Sequence, residues 1–403
     1  MIALFVAVLV LWSGEVWAQA LPVFSATGPD AAAYGSEENY PIGNRTTLNR
    51  QAYMVGVYSH FDQLLPARAV APAPHPSAFA RAPRELSLRF QHQGEWYTID
   101  DYLARNPVTG LMIVRAGKIL FEHYQYARTD RDRFTSQSMA KTMLGMLVGI
   151  AVGEGRIRSL DDAASEYVPG MAGTELGRTP IRALLHMASG IEFSERYDGT
   201  DDQAKLSREL FSRRSPGPVS VLHEFDHRVA PPDTLFHYAG LNSELLGLVL
   251  THATGMHPAD YAATRIWSRI GTEAPASWVT DASGQETTYC CFNAVLRDWA
   301  RFGMLLADDG AWEGQQIIPR QWVIDATTTA FRSGFLGYGY QVWTLPRPRR
   351  EFALIGIHEQ VLLVLPAAQL VLVQTAVAPQ PTGSPMRREL ISLWTALVEQ
   401  EGR

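Results

Sequence analysis

The chain has 403 residues, of which 46% are hydrophobic and 19% charged, so it is long enough for one large domain or two to three smaller ones. Its 10 Trp, 15 Tyr and 16 Phe require burial, which excludes a chain that is disordered over most of its length. The net charge of −6, without a run of Lys and Arg, argues against a nucleic-acid partner, and two cysteines are too few for a disulfide scaffold or a four-thiolate metal site.

The first 20 residues have the pattern of a secretory signal peptide. The apolar run from Ala3 to Trp12 is too short to span a bilayer, and Ala18-Gln19-Ala20 provides small residues around a cleavage site. We therefore predict that residues 1–20 are removed, and that the mature protein is exported to the periplasm or the medium without stable membrane insertion. The alternative is a buried N-terminal helix.

Residues 21–83 have the mixed composition of an N-terminal extension. The extension contains a Pro- and Ala-rich stretch at 66–74, which is typical of a stiff linker. We expect the extension to wrap around a main domain formed by residues 84–403.

Strands are predicted near both ends of the main domain, with helices between them. Apolar stretches at 111–114 and 119–121 flank Arg115-Ala116-Gly117-Lys118 and predict a β-hairpin. The later predictions, in chain order, are a helix that begins at Pro180, helices at 242–254, 258–270, 293–308 and 319–328, strands at 338–345, 352–355, 361–365 and 370–374, and a helix at 384–400.

This order of elements predicts an α/β (α+β) fold. One antiparallel sheet would be built from both ends of the domain, residues 84–155 and 310–403, and flanked by helices. Residues 156–309 would form an inserted all-helical subdomain. The cleft between two such units is a usual place for a small-molecule site.

The segment 134–150 carries the most informative motif. The sequence after Lys141 is apolar on every face of a helix, which predicts a buried central helix, and Ser138 lies on the same face three residues earlier. Burial lowers the pKa of a lysine, so Lys141 could accept the proton of Ser138, and a helix N-terminus favours the negative charge that then develops. The alternative is Ser138 as a helix cap with Lys141 reaching solvent.

The motif Ser138-Met139-Ala140-Lys141 resembles that of the serine penicillin-recognising hydrolases, which include class C β-lactamases, D-alanyl-D-alanine peptidases and related esterases and amidases. The resemblance covers most of residues 100–380 and is greatest to the 6-aminohexanoate-dimer hydrolase branch. It extends to residues 153–162, 184–190, 297–303 and 312–314, and to the loop Ser-Gly-Ile-Glu-Phe-Ser-Glu-Arg-Tyr that ends at Tyr197.

The resemblance implies that Tyr238 is the second catalytic element. Tyr238 would act with Lys141 as general base toward Ser138 and then protonate the leaving group, because a phenol beside a cationic amine can have a lowered pKa. Gly240 stands where class C β-lactamases have Asn, which favours an esterase or amidase. The alternative is a buried structural tyrosine.

A third element of this family lies on the strand beside the site. His358 occupies its first position and is expected to orient the Lys–Tyr pair or to contact a substrate carboxylate, the alternative being a surface histidine. Glu359 replaces a frequent Gly and would narrow the cleft or repel anions. The expected oxyanion hole is the Ser138 N–H plus a strand N–H near Gln360 or Val361.

Tyr197 resembles a loop tyrosine that contacts the scissile amide in the dimer hydrolases, and rim packing is the alternative. Cys290 and Cys291 are adjacent, and because a bond between neighbours requires distorted geometry we predict two buried thiols, with a redox role as the alternative. His223, His227 and Asp226 lack the spacing of a zinc motif, so we expect no metal and no cofactor.

The resulting hypothesis is an exported serine hydrolase that forms an acyl-enzyme on Ser138 and cleaves a carboxylic ester or a small linear amide. Two alternatives remain at this stage. One is a peptidoglycan D-alanyl peptidase or β-lactamase, and the other is a catalytically silent homologue that binds a peptide or acyl ligand.

Overall fold

The computed structural model describes residues 20–402, so the predicted signal peptide lies outside the described residues except for Ala20. The strands are β1 Val23–Phe24, β2 Ala67–Val70, β3 Ala80–Arg81, β4 Arg89–His92, β5 Glu95–Thr98, β6 Val108–Arg115, β7 Lys118–Tyr124, β8 Phe134–Thr135, β9 Ala276–Val279, β10 Phe292–Ala294, β11 Ala311–Trp312, β12 Gln315–Gln316, β13 Phe331–Ser333, β14 Leu336–Tyr338, β15 Trp343–Thr344, β16 Phe352–Gly356, β17 Gln360–Leu365 and β18 Leu370–Ala376. The α-helices are α1 Gln51–Tyr58, α2 Phe61–Leu64, α3 Ile99–Arg105, α4 Ala140–Gly153, α5 Ile181–Leu185, α6 Asp202–Phe211, α7 Pro218–Leu222, α8 Gly240–Thr254, α9 Pro258–Arg265, α10 Leu296–Ala307, α11 Arg320–Ala326 and α12 Pro385–Glu401.

The main sheet is built from both ends of the chain, as the sequence predicts. Its strands follow the order β1-β7-β6-β18-β17-β16-β15-β14-β13, with β3 also paired to β7. The predicted hairpin is confirmed as β6 and β7, and the antiparallel pairing of β18 with β6 joins the C-terminal strands to it. The two short strands of the extension, β1 and β3, pair with β7 in parallel.

Strand alternation gives the sheet two buried faces. Met112 and Val114 of β6 point into one core, where α10 packs across β6, β17 and β18. Leu111 and Ile113 point into the other core, which α3 and α12 cover, with Trp394 buried among these side chains. The C-terminal helix is therefore confirmed, and its apolar positions at helical spacing form the second core.

The middle of the chain is not wholly helical, which corrects the prediction of an all-helical insertion. Helices α5 to α9 lie there, but β9 and β10 lie there too and join a four-stranded sheet of order β2-β9-β10-β8. The stretch predicted to be a linker supplies β2, which pairs with β9. The predicted strand at 338–345 is interrupted, since β14 and β15 are separate strands that pair with each other.

The small sheet fixes the start of the central helix. Strand β8 runs into a 3₁₀ turn, Gln137–Met139, which continues directly into α4. The Ser136 N–H donates to the Phe292 carbonyl at 2.9 Å, and the Phe292 N–H donates to Ser136 Oγ at 3.0 Å, so β10 holds this turn from one side. Within residues 20–402, no helix is long and apolar enough to cross a membrane.

Candidate active site

Ser138 and Lys141 meet at the start of the central helix. Ser138 lies in the 3₁₀ turn and is partly open to a cleft, whereas Lys141, one turn later, is only 2% exposed. Lys141 Nζ donates to Ser138 Oγ at 2.9 Å and to the Tyr289 carbonyl at 2.7 Å. The structure therefore places the lysine against the serine and not in solvent, in contrast to the alternative of a helix cap with an exposed lysine.

Burial changes the acid–base behaviour of Lys141. Desolvation lowers its pKa to about 8, although the carboxylates Glu195 and Glu244 act in the opposite direction. An ordinary lysine is fully charged near neutral pH, but with a pKa of about 8 this one is about one-tenth neutral at pH 7. A neutral amine 2.9 Å from a hydroxyl oxygen can accept its proton.

Tyr238 lies two residues before α8 and faces the same hydroxyl. Its ring stacks on Trp343 with centroids 5.4 Å apart and lies 5.0 Å from Lys141 Nζ, and the neighbouring Ser138 side chain acts to lower its pKa. Burial, followed by the negative charge of Glu195, raises the pKa of Tyr238 far above its usual value. The expectation of a lowered tyrosine pKa is therefore contradicted, and the phenol keeps its proton.

Glu195 is a member of this group that the sequence analysis did not single out. Its Oε2 accepts the Gly240 N–H at 2.6 Å, and its Oε1 accepts the Tyr197 hydroxyl. Burial raises the pKa of Glu195, while the charge of Lys141 acts to lower it. In the sequence Glu195 is one of several acidic residues in a polar loop, and only its contacts with distant residues distinguish it.

Gly240 is explained by the close approach of a neighbouring side chain. A Cβ at this position would lie 2.1 Å from the amide oxygen of Gln203. The residue that departs from the class C pattern therefore packs against α6, and its backbone N–H donates to Glu195.

Tyr197 lies at the junction of two cavities that open from Ser138. Its backbone has a φ of 59°, and its N–H donates to Asp201 Oδ2 at 2.7 Å. Its hydroxyl also contacts Glu195, so hydrogen bonds hold both the backbone and the end of the side chain. This is a position from which it could contact a substrate.

The first cleft has a volume of about 390 Å³ and the second about 600 Å³. Both include Ser138, Glu195, Tyr197, Ile357 and Pro381. The first cleft is lined further by Tyr238, Trp343, Ile355, Gly356, Glu359, Thr382, Gly383, Ser384, Arg387 and Arg388. The second is lined further by Leu48, Asn49, Phe61, Leu65, Gln137, Gly199, Asp201, Gln203, Ala204, Ser207, Arg208, Phe211, Tyr289, Cys290, Cys291, His358 and Pro379.

His358 and Glu359 occupy a tight turn between β16 and β17. His358 Nδ1 is bonded to the Ala378 carbonyl at 2.6 Å, its ring meets Tyr58 edge-on at 5.5 Å, and burial lowers its pKa. These contacts hold the chain and do not include Lys141 or Tyr238. Glu359 is 2% exposed and accepts from Arg387 Nε at 2.6 Å, so its charge is already paired.

Gln360 and Val361 are not brought to the cleft. Both lie in β17, which is paired on one side with β16 and on the other with β18. The Gln360 side chain donates to backbone carbonyls of residues 357, 358 and 376, and Val361 is buried beneath α12. The backbone beside Ser138 is instead Gly356 and Ile357, and a Cβ on Gly356 would lie 2.5 Å from the Ser136 carbonyl oxygen.

Cys290 and Cys291 are joined by a disulfide bond, which corrects the prediction of two thiols. The pair is buried, as expected, and lines the second cleft. The preceding residue, Tyr289, supplies the carbonyl that Lys141 contacts, and the Cys291 N–H donates to the Gln137 carbonyl at 3.2 Å. The disulfide therefore lies between the Tyr289 carbonyl, which contacts Lys141, and Gln137, which precedes Ser138.

Several non-glycine residues around the clefts have left-handed backbones. These are Gln137 with φ 46°, Tyr197 with φ 59°, Cys291 with φ 71° and His358 with φ 57°. Such conformations persist only where surrounding contacts enforce them, and they cluster at functional sites. Local sequence patterns do not reveal them.

The histidines considered for a metal site have other partners. His223 Nε2 is bonded to the Gly170 carbonyl at 2.8 Å, and His227 Nδ1 contacts Glu192 at 2.8 Å. Over residues 20–402, no group of three or more His, Cys, Asp or Glu side chains is arranged to hold a metal ion.

Comparison with known proteins gives relatives in sequence and in structure. The chain is 25% identical over 300 residues to the 6-aminohexanoate-dimer hydrolase of Paenarthrobacter ureafaciens, a match that covers 70% of this chain and 76% of that protein. A Bacillus anthracis structure assigned as a 6-aminohexanoate-dimer hydrolase superposes with a TM-score of 0.79 at 23% identity and covers 90% of this chain and 97% of that one.

More distant structures share the fold. EstCE1, a hydrolase with promiscuous acyltransferase activity, has a TM-score of 0.58 at 14% identity, with 72% of this chain and 93% of that chain covered. A penicillin-binding protein from Bacillus halodurans has a TM-score of 0.59 at 16% identity, with 74% and 98% covered. Residues 98–392 match the Beta-lactamase family, and this chain is therefore a hydrolase of the Beta-lactamase family with the β-lactamase/transpeptidase-like fold.

Proposed function

We propose that the protein is a serine hydrolase that forms an acyl-enzyme on Ser138 and cleaves a carboxylic ester or a small linear amide. The observation that carries this proposal is the 2.9 Å contact of Ser138 Oγ with Lys141 Nζ, an amine whose pKa burial lowers to about 8. A silent binding homologue has no need of this contact. Gly240 stands where class C β-lactamases have Asn, which supports an esterase or amidase over a β-lactamase.

Acylation begins when neutral Lys141 takes the proton of Ser138 while Oγ attacks the carbonyl carbon. The oxyanion accepts from the Ser138 N–H and from the backbone at Gly356–Ile357, which lines the cleft where Gln360 and Val361 do not. As the bond to the leaving group breaks, the Tyr238 phenol protonates the departing oxygen or nitrogen, and Lys141 returns a proton to the phenolate.

Deacylation uses the same groups, with water as the nucleophile and Ser138 as the leaving group. Neutral Lys141 or the Tyr238–Lys141 pair accepts a proton from water as it attacks the acyl carbon, and the proton then returns to Ser138 as the carboxylic acid leaves. Each proton taken from Ser138 or water is given to the leaving group or to Ser138, so the residues finish as they began.

Replacing Ser138 by Ala is expected to abolish covalent chemistry. A fluorophosphonate probe should label the wild type and leave Ser138→Ala unlabelled, and kcat/KM for a p-nitrophenyl ester should fall by roughly 10⁴-fold or more. Ser212→Ala, at a serine outside both clefts, should still be labelled. Equal labelling of wild type and Ser138→Ala would reject Ser138 as the nucleophile.

The activity is expected to depend on the neutral form of Lys141. Since the pKa of Lys141 is lowered to about 8, kcat/KM for an ester should rise about tenfold per pH unit below that value and level off above it. Glu195→Gln removes a negative charge that raises the pKa of Lys141, so this variant should shift the midpoint to lower pH. A profile without inflection between pH 6 and 9, or a midpoint unmoved by Glu195→Gln, would contradict the assignment of Lys141 as the base.

The disulfide is expected to support catalysis through its neighbours. A dithiol reductant should lower kcat by roughly tenfold, because the Tyr289 carbonyl and Gln137 would lose their fixed positions. The variant Cys290→Ser/Cys291→Ser should show the same loss and no further response to reductant. Thiol titration of denatured protein provides the check, since two free thiols before reduction would show that the bond does not form.

Export remains a proposal that rests on the sequence pattern of residues 1–20. Protein recovered from the periplasm or medium of a producing bacterium should begin at Leu21 on N-terminal sequencing. A mature chain that still begins at Met1 would reject the signal peptide.

A further inference from the structure

The two clefts that meet at Ser138 differ in whether they are lined by Tyr238, the proposed general acid. Tyr238 lines the first cleft and does not line the second. If Tyr238 protonates the leaving group, as the proposed function requires, the leaving group lies in the first cleft. The acyl group then extends into the second.

The inner wall of the second cleft is apolar. It includes Phe211 at the end of α6, Pro379 and the Cys290–Cys291 disulfide. Phe61 and Leu65, only 7% and 6% exposed, close the wall on the side of the extension. A disulfide without thiol hydrogens presents a surface of low polarity, so these groups together favour a hydrocarbon ligand.

Polar groups in the second cleft are largely engaged with the protein. The Asp201 carboxylate accepts backbone N–H groups of Arg196, Tyr197 and Ala204. The hydroxyls of Ser207 and Tyr289 are bonded to each other at 3.0 Å. Asp201 is therefore not free to pair with a cation on the acyl group.

Among the other polar groups of the lining, the Glu195 carboxylate accepts from the Gly240 N–H and the Tyr197 hydroxyl, and His358 Nδ1 is bonded to the Ala378 carbonyl. Others lie at the rim. Arg208 is exposed and donates to the Gly199 carbonyl at 3.0 Å, and Asn49 is exposed on the extension. The Gln203 amide oxygen has no hydrogen-bond partner among the described residues. This neutral acceptor does not offset the cost of burying a charged group on an acyl chain.

The extension supplies part of this wall from outside the family domain. Leu48, Phe61 and Leu65 all precede residue 98, where the family match begins. The short helix α2 is anchored because Asp62 pairs with Arg133 at 2.7 Å and accepts the Ser277 hydroxyl at 2.7 Å. The wall is thus a fixed part of the site.

We propose that the second cleft is the acyl site, that it takes an uncharged acyl chain of medium length, and that the N-terminal extension forms its outer wall. Its volume of about 600 Å³ is within the range of small-molecule sites and allows more than an acetyl group. The proposal names the substrate class of the serine hydrolase proposed above and rests on that function.

Two ester series test the direction of binding. In p-nitrophenyl esters from acetate to octanoate, kcat/KM should rise ~2- to 4-fold per added methylene until the cleft is filled. In acetate esters of alcohols from methyl to octyl, followed by pH-stat, the rise should be much smaller. A 6-aminohexanoyl or adipoyl ester should react at least ~10-fold more slowly than the hexanoyl ester, because its terminal charge loses water.

Variants in the two clefts separate the acyl and alcohol sides. Ala204→Phe fills the second cleft and should lower the octanoate-to-acetate ratio of kcat/KM by ~10-fold or more. Leu48→Ala, at a half-buried position of the extension, should lower the same ratio severalfold. Thr382→Phe, in the first cleft, should act on the alcohol series, and Glu209→Phe, on α6 but outside the cleft lining, should leave both ratios as in the wild type.

Each outcome is decisive for one of the two proposals. A flat acyl series, or an effect of Ala204→Phe on the alcohol series alone, would overturn the acyl-site assignment and leave the serine hydrolase intact. Faster turnover of the 6-aminohexanoyl ester than of the hexanoyl ester would overturn the preference for an uncharged chain. Failure of the wild type to hydrolyse any ester or to be labelled at Ser138 would overturn the proposed function itself.

Discussion

The site depends on one lysine side chain that the fold removes from water. Lys141 begins a helix whose every face is buried, so its ammonium group loses its hydration. The Tyr289 carbonyl at 2.7 Å and the rings of Tyr238 and Tyr289, at 5.0 Å and 5.8 Å, compensate in part. Desolvation still prevails, because the pKa falls to about 8 despite two nearby carboxylates. The amine can therefore change protonation near neutral pH.

The same surroundings separate the two titrating partners of Ser138 into an acid and a base. Burial disfavours the charged form of each group, so it lowers the pKa of Lys141 and raises that of Tyr238. The negative charge of Glu195 raises the pKa of both groups. It therefore keeps Tyr238 protonated and limits how far the pKa of Lys141 falls. Two groups whose pKa values are shifted in opposite directions allow one site first to take a proton and then to donate one.

The parts of this structure that local sequence patterns encode were predictable. The motif from Ser138 to Lys141, the hairpin and the C-terminal helix follow from residue spacing. The identity of the backbone beside Ser138 did not follow, because a 3₁₀ turn at 357–359 separates β16 from β17 and places Gln360 within the sheet. The residue pattern predicts separate strands at 352–355 and 361–365, but it does not show which backbone N–H between them faces Ser138.

Other features depend on contacts between residues far apart in the chain. Glu195 acquires its role from Gly240, 45 residues later, and the sequence around it resembles a solvated acidic loop. The lowered pKa expected for Tyr238 took account only of the charge on Lys141, and burial of the phenol reversed the sign of the shift. The adjacent cysteines were predicted to be two thiols, and only the three-dimensional structure shows that they are bonded to each other.

The extension contributes both to the packing of the core and to the shape of the second cleft. Its strands β1 and β3 pair with β7 of the main sheet and β2 pairs with β9, so it covers sheet edges that would otherwise expose backbone groups. The same segment places Leu48, Phe61 and Leu65 at the second cleft. Phe61 and Leu65 are core residues as well as wall residues, so changing them alters packing and cleft shape together. Half-buried Leu48 and exposed Asn49 are positions where the extension can vary the cleft at less cost to the core than at Phe61 or Leu65.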